Sequence, residues 1–161
     1  MENPNKPKER LDQIDKVLDE YESNLGLGSY AGDFHDQSVK QYMNMPRQQM
    51  EKLTVDECAE AALLLGGFSF YLQRSYNREI ARVNWASSNL KRMMSGRESQ
   101  YKGSWDSQYY QAIREDGYAC KLESIKTYAQ QRADRLTYLA SSVKNLSDLF
   151  VNLQRAKISR A

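Results

Sequence analysis

The chain has few of the residues on which most catalytic and metal sites depend. Its 161 residues include one histidine, His35, and two isolated cysteines, Cys58 and Cys120. Structural zinc takes about four ligands, so the composition nearly excludes it, and a Ser-His or Cys-His mechanism would have to use His35. That histidine lies in a polar stretch typical of an exposed loop. Phosphate-loop, dinucleotide-binding, H-E-x-x-H and EF-hand patterns are also missing. We therefore expect no metal site, no cofactor and no catalytic activity.

Long apolar runs are missing as well. The longest apolar run, Ala61 to Phe70, is about half of the roughly 20 residues that a membrane span requires. The N-terminal residues are polar and contain no hydrophobic signal region. We expect a cytoplasmic protein without membrane contact, in which the cysteines stay reduced. The formal net charge is only +2, so bulk charge indicates no particular partner.

The first 52 residues differ in charge from the rest of the chain. They carry 7 basic and 10 acidic residues. Apolar residues at helical spacing predict one short amphipathic helix from Glu9 to Leu25, and Asn24 to Arg47 is interpreted as a linker. We therefore divide the chain into an acidic N-terminal arm, residues 1–52, and a helical domain, residues 53–161. The arm is equally well interpreted as a tether or as a partner-binding segment.

Two long helices are predicted in the second region. Thr54 and Glu57 match the capping box at a helix start, and apolar residues at helical spacing continue from there to Ser95. A second helix is predicted from about Gln108 to Lys157, where apolar residues alternate by four and three. Such a heptad seam is typical of coiled-coil packing. The predicted fold is all-α, a long antiparallel helical hairpin with a coiled-coil seam.

One hairpin cannot bury every apolar face of helices this long, so we expect a homo-oligomer that completes the core between subunits. The predicted interface comprises Leu122, Ile125, Arg132, Leu136, Leu139, Val143, Leu146 and Phe150. Arg132 would pair with an acidic residue of a neighbouring chain or line a channel that contacts phosphate. The alternative is a monomeric bundle in which Leu11 to Tyr21 forms the third helix.

Basic residues concentrate near the end of the first long helix. Between Arg74 and Lys102 there are seven basic and two acidic residues. At 100° per residue, one helix face carries Arg74, Arg78, Arg82 and Arg92, with Trp85 between them; we call these five residues the basic stripe. We expect the stripe to point outward, opposite the apolar seam. The candidate nucleic-acid-binding residues are Arg74, Arg78, Arg82, Trp85, Lys91, Arg92, Arg97 and Lys102.

Guanidinium groups and interleaved aromatic rings suit a single-stranded nucleic acid, because guanidiniums contact phosphates and rings stack on unpaired bases. The predicted function is an oligomeric single-strand-binding protein that is not an enzyme. The alternative is a structural or adaptor coiled coil, for example a phage virion or scaffold component, that binds no nucleic acid. An outward basic stripe distinguishes the two, because a scaffold does not need one.

Four segments, with the helix order and the placement of charge, give the chain a family resemblance. They are Leu72 to Ile80, Leu90 to Met93, Ile113 to Asp116 and Arg132 to Leu139. Over Thr54 to Lys157 the chain resembles the UvsY-like recombination mediators of tailed phages. The resemblance implies a small helical oligomer, typically a ring, that binds single-stranded DNA. It also implies that this oligomer helps to load a RecA-like recombinase onto strands covered by single-strand-binding protein. The family's DNA-binding lysine and arginine lie two apart near the end of the first long helix; the nearest pair here is the adjacent Lys91 and Arg92.

Overall fold

The computed structural model of the protein describes residues 6–27, 37–95 and 101–161. Within these ranges 87% of the residues are helical and none forms a strand, which confirms the predicted all-α class. None of the helices described there is long and apolar enough to cross a bilayer. The helices are α1 (Lys6–Asn24), α2 (Gln37–Met43), α3 (Arg47–Met50), α4 (Val55–Ser95), α5 (Trp105–Glu115), α6 (Gly117–Leu136) and α7 (Leu139–Arg160).

The chain forms two compact units. One unit comprises Met1–Ser29 and Asn77–Arg135, and the other comprises Tyr30–Tyr76 and Leu136–Ala161. The long helix α4 contributes residues to both units. This division cuts across the predicted boundary at residue 52, because α1 belongs to the first unit whereas α2 and α3 belong to the second.

The capping box forms at the start of α4 as predicted. The Thr54 backbone N–H donates to Oε2 of Glu57 at 2.7 Å, and the Glu57 N–H donates to Oγ1 of Thr54 at 3.2 Å. These bonds satisfy two amides that have no partner within the helix. They also lower the pKa of Glu57, with the bond from the Thr54 backbone as the largest cause. The 41 residues of α4 match the predicted bounds of the first long helix.

The second predicted helix is three helices. Asp116 has an extended backbone, with φ of −115° and ψ of 114°, and its side chain accepts from the backbone N–H groups of Tyr118 and Ala119. It therefore ends α5 and caps α6. The next break is at Tyr138, which has a left-handed φ of 65°. The prediction of one continuous helix from Gln108 to Lys157 is wrong, because local backbone geometry interrupts it twice.

In the second unit, helices α2, α4 and α7 share one apolar core. The predicted linker contributes α2 to it, with buried Val39 and Tyr42. The Tyr42 ring meets the ring of Phe150 edge-on, with centroids 5.8 Å apart. Polar contacts also join α4 to α7, since the Ser147 hydroxyl donates to the carbonyl of Ala62 at 2.7 Å. An N-terminal segment thus covers a face that we expected a second subunit to cover.

The first unit has its own core between the end of α4 and the α5–α6 region. Leu90 packs with Tyr118, Ala119 and Leu122, and a smaller cluster holds Met94, Tyr101 and Ala112. Helix α1 ends at Asn24, and Gly26, which follows two residues later, has a left-handed φ of 79°. There the N–H of Leu27 bonds to the carbonyl of Glu22, and the N–H of Gly26 bonds to that of Ser23. This Schellman arrangement satisfies the last carbonyls of α1.

Three of the eight predicted interface residues lie inside a single chain. Leu122, Val143 and Phe150 are buried, so they have no surface left for a partner. That part of the prediction is wrong, because Leu122 packs against Leu90 of α4, and Val143 and Phe150 lie in the core that α7 shares with α2 and α4. Of the other predicted interface residues, Ile125, Leu136 and Leu146 are half-buried and Leu139 is exposed.

Replacing Phe150 separates an intramolecular core from a subunit interface. Phe150→Ala is expected to lower the free energy of unfolding by about 3–5 kcal/mol, because it removes a buried ring and leaves a cavity. Leu149→Ala is the control, since Leu149 is 60% exposed. Urea unfolding should show a loss that is independent of protein concentration. A loss that shrinks as the concentration rises would assign Phe150 to an interface between subunits.

The break at Tyr138 provides a second stability test. A left-handed residue with a Cβ is strained by about 1–2 kcal/mol, and Tyr138 is 81% exposed, so its ring adds little packing. Tyr138→Gly is expected to be about 1 kcal/mol more stable than Tyr138→Ala. Thermal unfolding of the two variants measures the difference. Equal stability would mean that residue 138 does not adopt the left-handed conformation in solution.

Candidate nucleic-acid interface

The predicted nucleic-acid-binding residues have different environments. Six of the eight lie on α4, and Lys102 lies just before α5. Arg97 lies outside the described residues. Arg74 is half-buried, whereas Lys91, Arg92 and Lys102 are exposed. The candidate set therefore does not form one uniform solvent-facing stripe.

Arg78 and Arg82 face the acidic side of α1. Arg78 Nη1 lies 2.7 Å from Oδ1 of Asp19, and Arg82 Nη2 lies 2.8 Å from Oδ2 of Asp15. A further contact of 3.5 Å joins Arg78 to Asp15. The two arginine side chains are only 17% and 23% exposed. The expectation that this part of the basic stripe points outward is wrong, because the N-terminal helix covers it with carboxylates.

A third carboxylate extends this network. Glu79 pairs with Arg82 at 3.0 Å and with Arg132 of α6 at 2.9 Å. Arg132 thus pairs within its own chain, and the predicted pairing with a neighbouring subunit is wrong. We call Asp15, Asp19, Glu79, Arg78, Arg82 and Arg132 the ion-pair network. Its three carboxylates balance its three guanidiniums, so it presents no net positive charge to a phosphate.

The sequence does contain a signal for the contact between α1 and α4, namely the spacing of the charged residues on each helix. Asp15 and Asp19 are four residues apart on α1, and Arg78 and Arg82 are four apart on α4, so each pair lies on one helix face. The apolar periodicity of α1 instead predicts that its apolar side is buried. In the structure Leu11 is buried, but Val17 is 65% exposed and Tyr21 is 61% exposed. Over its second half α1 turns its acidic side to α4 and its apolar side outward.

The other end of the basic stripe borders a groove. A cavity of about 420 Å³ lies between α1 and α4, and Trp85 and Arg92 line it from α4. The Trp85 ring is half-buried against the core cluster around Leu90. Beside the groove, Lys91 and Arg92 are exposed, and among the described residues no carboxylate forms an ion pair with either. Among the residues that the structure describes, this end of α4 therefore combines positive charge without an ion-pair partner with an indole ring.

Several other aromatic and titratable side chains contribute to packing or to hydrogen bonds within the chain. Tyr101 is buried in the core, while Trp105 is half-exposed. Tyr109 donates a hydrogen bond to Glu123, and burial together with this bond raises the pKa of Tyr109. Burial likewise raises the pKa of the Cys58 thiol.

The described ranges contain no group of three or more His, Cys, Asp or Glu side chains that could hold a metal ion. His35 lies outside those ranges, so its predicted loop environment remains a prediction. Comparison of the chain with protein-family models, with curated proteins and with solved structures finds no match.

A pair of variants tests the division between the buried and exposed arginines. Arg82→Ala is expected to lower the free energy of unfolding by about 3 kcal/mol, because it leaves buried carboxylates without their cation. Arg92→Ala is expected to change it by less than about 0.5 kcal/mol, since Arg92 is exposed. Urea unfolding followed by circular dichroism measures both. Equal small effects would contradict the ion-pair network.

Proposed function

We propose that the protein is an oligomeric, non-enzymatic recombination mediator that binds single-stranded DNA in the cytoplasm. The observation that carries the proposal is the exposed pair Lys91 and Arg92, neither of which has an ion-pair partner among the residues that the structure describes. Arg92 lines the same groove as Trp85. Two adjacent cations can contact successive phosphates, and release of counterions then favours binding. A neighbouring indole adds affinity only for a strand whose bases are unpaired.

Compared with the sequence-based prediction, the proposed site is smaller. Arg78 and Arg82 have carboxylate partners in α1, so the proposed phosphate contacts are Lys91, Arg92 and Lys102. Lys91 and Arg92 also lie where the resemblance to the recombination mediators places the family's basic pair, near the end of the first long helix. Local charge and the resemblance therefore support the same region of α4.

Loading of a RecA-like recombinase onto strands covered by single-strand-binding protein is part of the proposal through the resemblance. Such a role needs surfaces for other proteins and for further copies of the chain. Large apolar side chains are exposed on α4 and α7, among them Leu63, Phe70 and Leu149. These side chains support contacts with proteins in addition to DNA.

The second candidate function is a structural or adaptor helical protein without nucleic-acid affinity. The same exposed apolar residues favour it, and so does the neutralisation of Arg78 and Arg82. The two candidates differ in what they require of Lys91, Arg92 and Lys102. An adaptor has no use for uncompensated cations beside an indole ring, whereas a single-strand-binding protein depends on them.

Binding of a fluorescently labelled single-stranded oligonucleotide tests the proposal. The double variant Lys91→Ala with Arg92→Ala is expected to weaken binding at least tenfold. It should also reduce the slope of log K against log salt by about 1.4, since each phosphate contact on a single strand contributes about 0.7. Fluorescence anisotropy at several salt concentrations measures both quantities.

The matched control is the double variant Arg155→Ala with Arg160→Ala, which removes two exposed cations from α7. It should bind nearly as tightly as the unmodified protein. Equal weakening by both double variants would mean nonspecific charge attraction. No binding by the unmodified protein at moderate salt would reject the mediator and leave the adaptor. If the protein binds, its loading role is tested by the lag before a RecA-like recombinase assembles on strands covered by single-strand-binding protein. A mediator is expected to shorten that lag.

A further inference from the structure

The N-terminal helix forms one wall of the groove beside Trp85. Five residues that line the groove belong to α1, and three belong to α4. We call this cavity the α1–α4 groove; it is lined by Arg10, Gln13, Ile14, Val17, Leu18, Trp85, Asn89 and Arg92. We propose that the α1–α4 groove is a subsite for an unpaired nucleobase of a bound single strand, and that Arg10 of α1 contacts the adjoining phosphate. This inference rests on the proposed function and assigns α1 a direct part in it.

The size and lining of the groove fit a base. Its volume of about 420 Å³ is within the range of roughly 300–1,000 Å³ that is usual for small-ligand sites. Ile14, Val17 and Leu18 supply apolar wall, and Trp85 supplies an aromatic ring. The flat faces of a base are apolar and stack on such a ring, whereas its edges carry hydrogen-bonding groups.

Two polar side chains in the groove can meet those edges. Gln13 is exposed on α1, and Asn89 lies one turn after Trp85 on α4. The amide nitrogen of Asn89 donates to the Trp85 carbonyl at 2.8 Å, which fixes the orientation of the side chain. Its amide oxygen remains an acceptor for a base edge.

The groove carries one guanidinium from each helix. Arg92 belongs to the exposed cations of α4. Arg10 Nη1 donates to the Tyr118 hydroxyl at 2.9 Å, and the guanidinium carbon lies 5.9 Å from the centre of that ring. A guanidinium has five N–H donors, so Arg10 is held in place by Tyr118 and keeps donors for a phosphate. Positive charge on a groove with apolar walls matches the anionic backbone and apolar base faces of a single strand.

The ion-pair network gives this wall its orientation. Asp15 and Asp19 attach the acidic side of α1 to Arg82 and Arg78. The apolar side is then left to line the groove instead of being buried in a core. Arg78 and Arg82 thus act as positioning residues, because they hold α1 beside Trp85 without contacting the strand themselves.

The chain has two tryptophans, so one substitution isolates the signal of the groove. In Trp105→Phe, the only remaining indole is Trp85. A thymidine oligonucleotide is expected to quench the fluorescence of Trp85 because a base stacks on the ring. An oligonucleotide of the same length whose sugars carry no bases presents the same phosphates. It is expected to cause little quenching.

The contribution of α1 is tested in the same background by Arg10→Ala, with Lys16→Ala as the matched control. Both remove one exposed cation from α1, but Lys16 does not line the groove. Arg10→Ala is expected to raise the concentration of thymidine oligonucleotide needed for half-maximal quenching about tenfold. Lys16→Ala is expected to raise it less than twofold. Circular dichroism should show the same helix content in both variants.

Anisotropy of a labelled strand, measured in parallel, separates failure of this inference from failure of the proposed function. Binding by anisotropy with equal quenching by both oligonucleotides would overturn the base subsite and leave the single-strand-binding function standing. Binding with equal effects of Arg10→Ala and Lys16→Ala would overturn the role of α1. An absence of binding by anisotropy would overturn the proposed function and the subsite together.

Discussion

The attachment of α1 to α4 by paired carboxylates and guanidiniums is the constraint on which the first unit depends. Asp15 and Arg82 are 67 residues apart in the chain, yet their side chains meet at 2.8 Å. Asp15, Arg78 and Arg82 are largely removed from water, so loss of a partner would leave a buried charge uncompensated, which is strongly destabilising. The contact neutralises part of a basic helix and at the same time fixes which side of α1 faces outward.

This attachment changes the interpretation of the positive charge on α4. A count of arginines along one helix face suggests a continuous surface for phosphates, but a carboxylate at less than 3 Å occupies the same donors that a phosphate would use. The charge that remains for a ligand is concentrated at Lys91 and Arg92. The proposed phosphate contacts and the ion-pair network thus occupy different parts of α4. An arginine belongs to the network where the carboxylates of α1 lie opposite it.

The features predicted correctly are those that depend on residues close together in the sequence. The start of α4 follows from Thr54 and Glu57, which are three residues apart, and its length follows from uninterrupted apolar spacing. The break at Tyr138 was missed because the heptad pattern of apolar residues continues across it, and only backbone geometry reveals it. The break at Asp116 lies just before the first seam residue, Tyr118, so the pattern says nothing about it. The contact between α1 and α4 depends on residues distant in sequence. The four-residue charge spacing places the charged pair of each helix on one face, but it does not tell which two helices meet. The contact of Phe150 also depends on a residue distant in sequence, because its partner Tyr42 comes from a segment interpreted as a linker.

The sequence separation of the α1 contacts also sets the order in which the protein can assemble during synthesis. Within this sequence α1 is translated before its partners, because Arg82 is made 67 residues after Asp15, and Tyr118 is made 108 residues after Arg10. At roughly 5–20 residues per second, α1 waits several seconds for them. Its contacts are therefore non-local ones, which have to overcome the entropy of closing long loops.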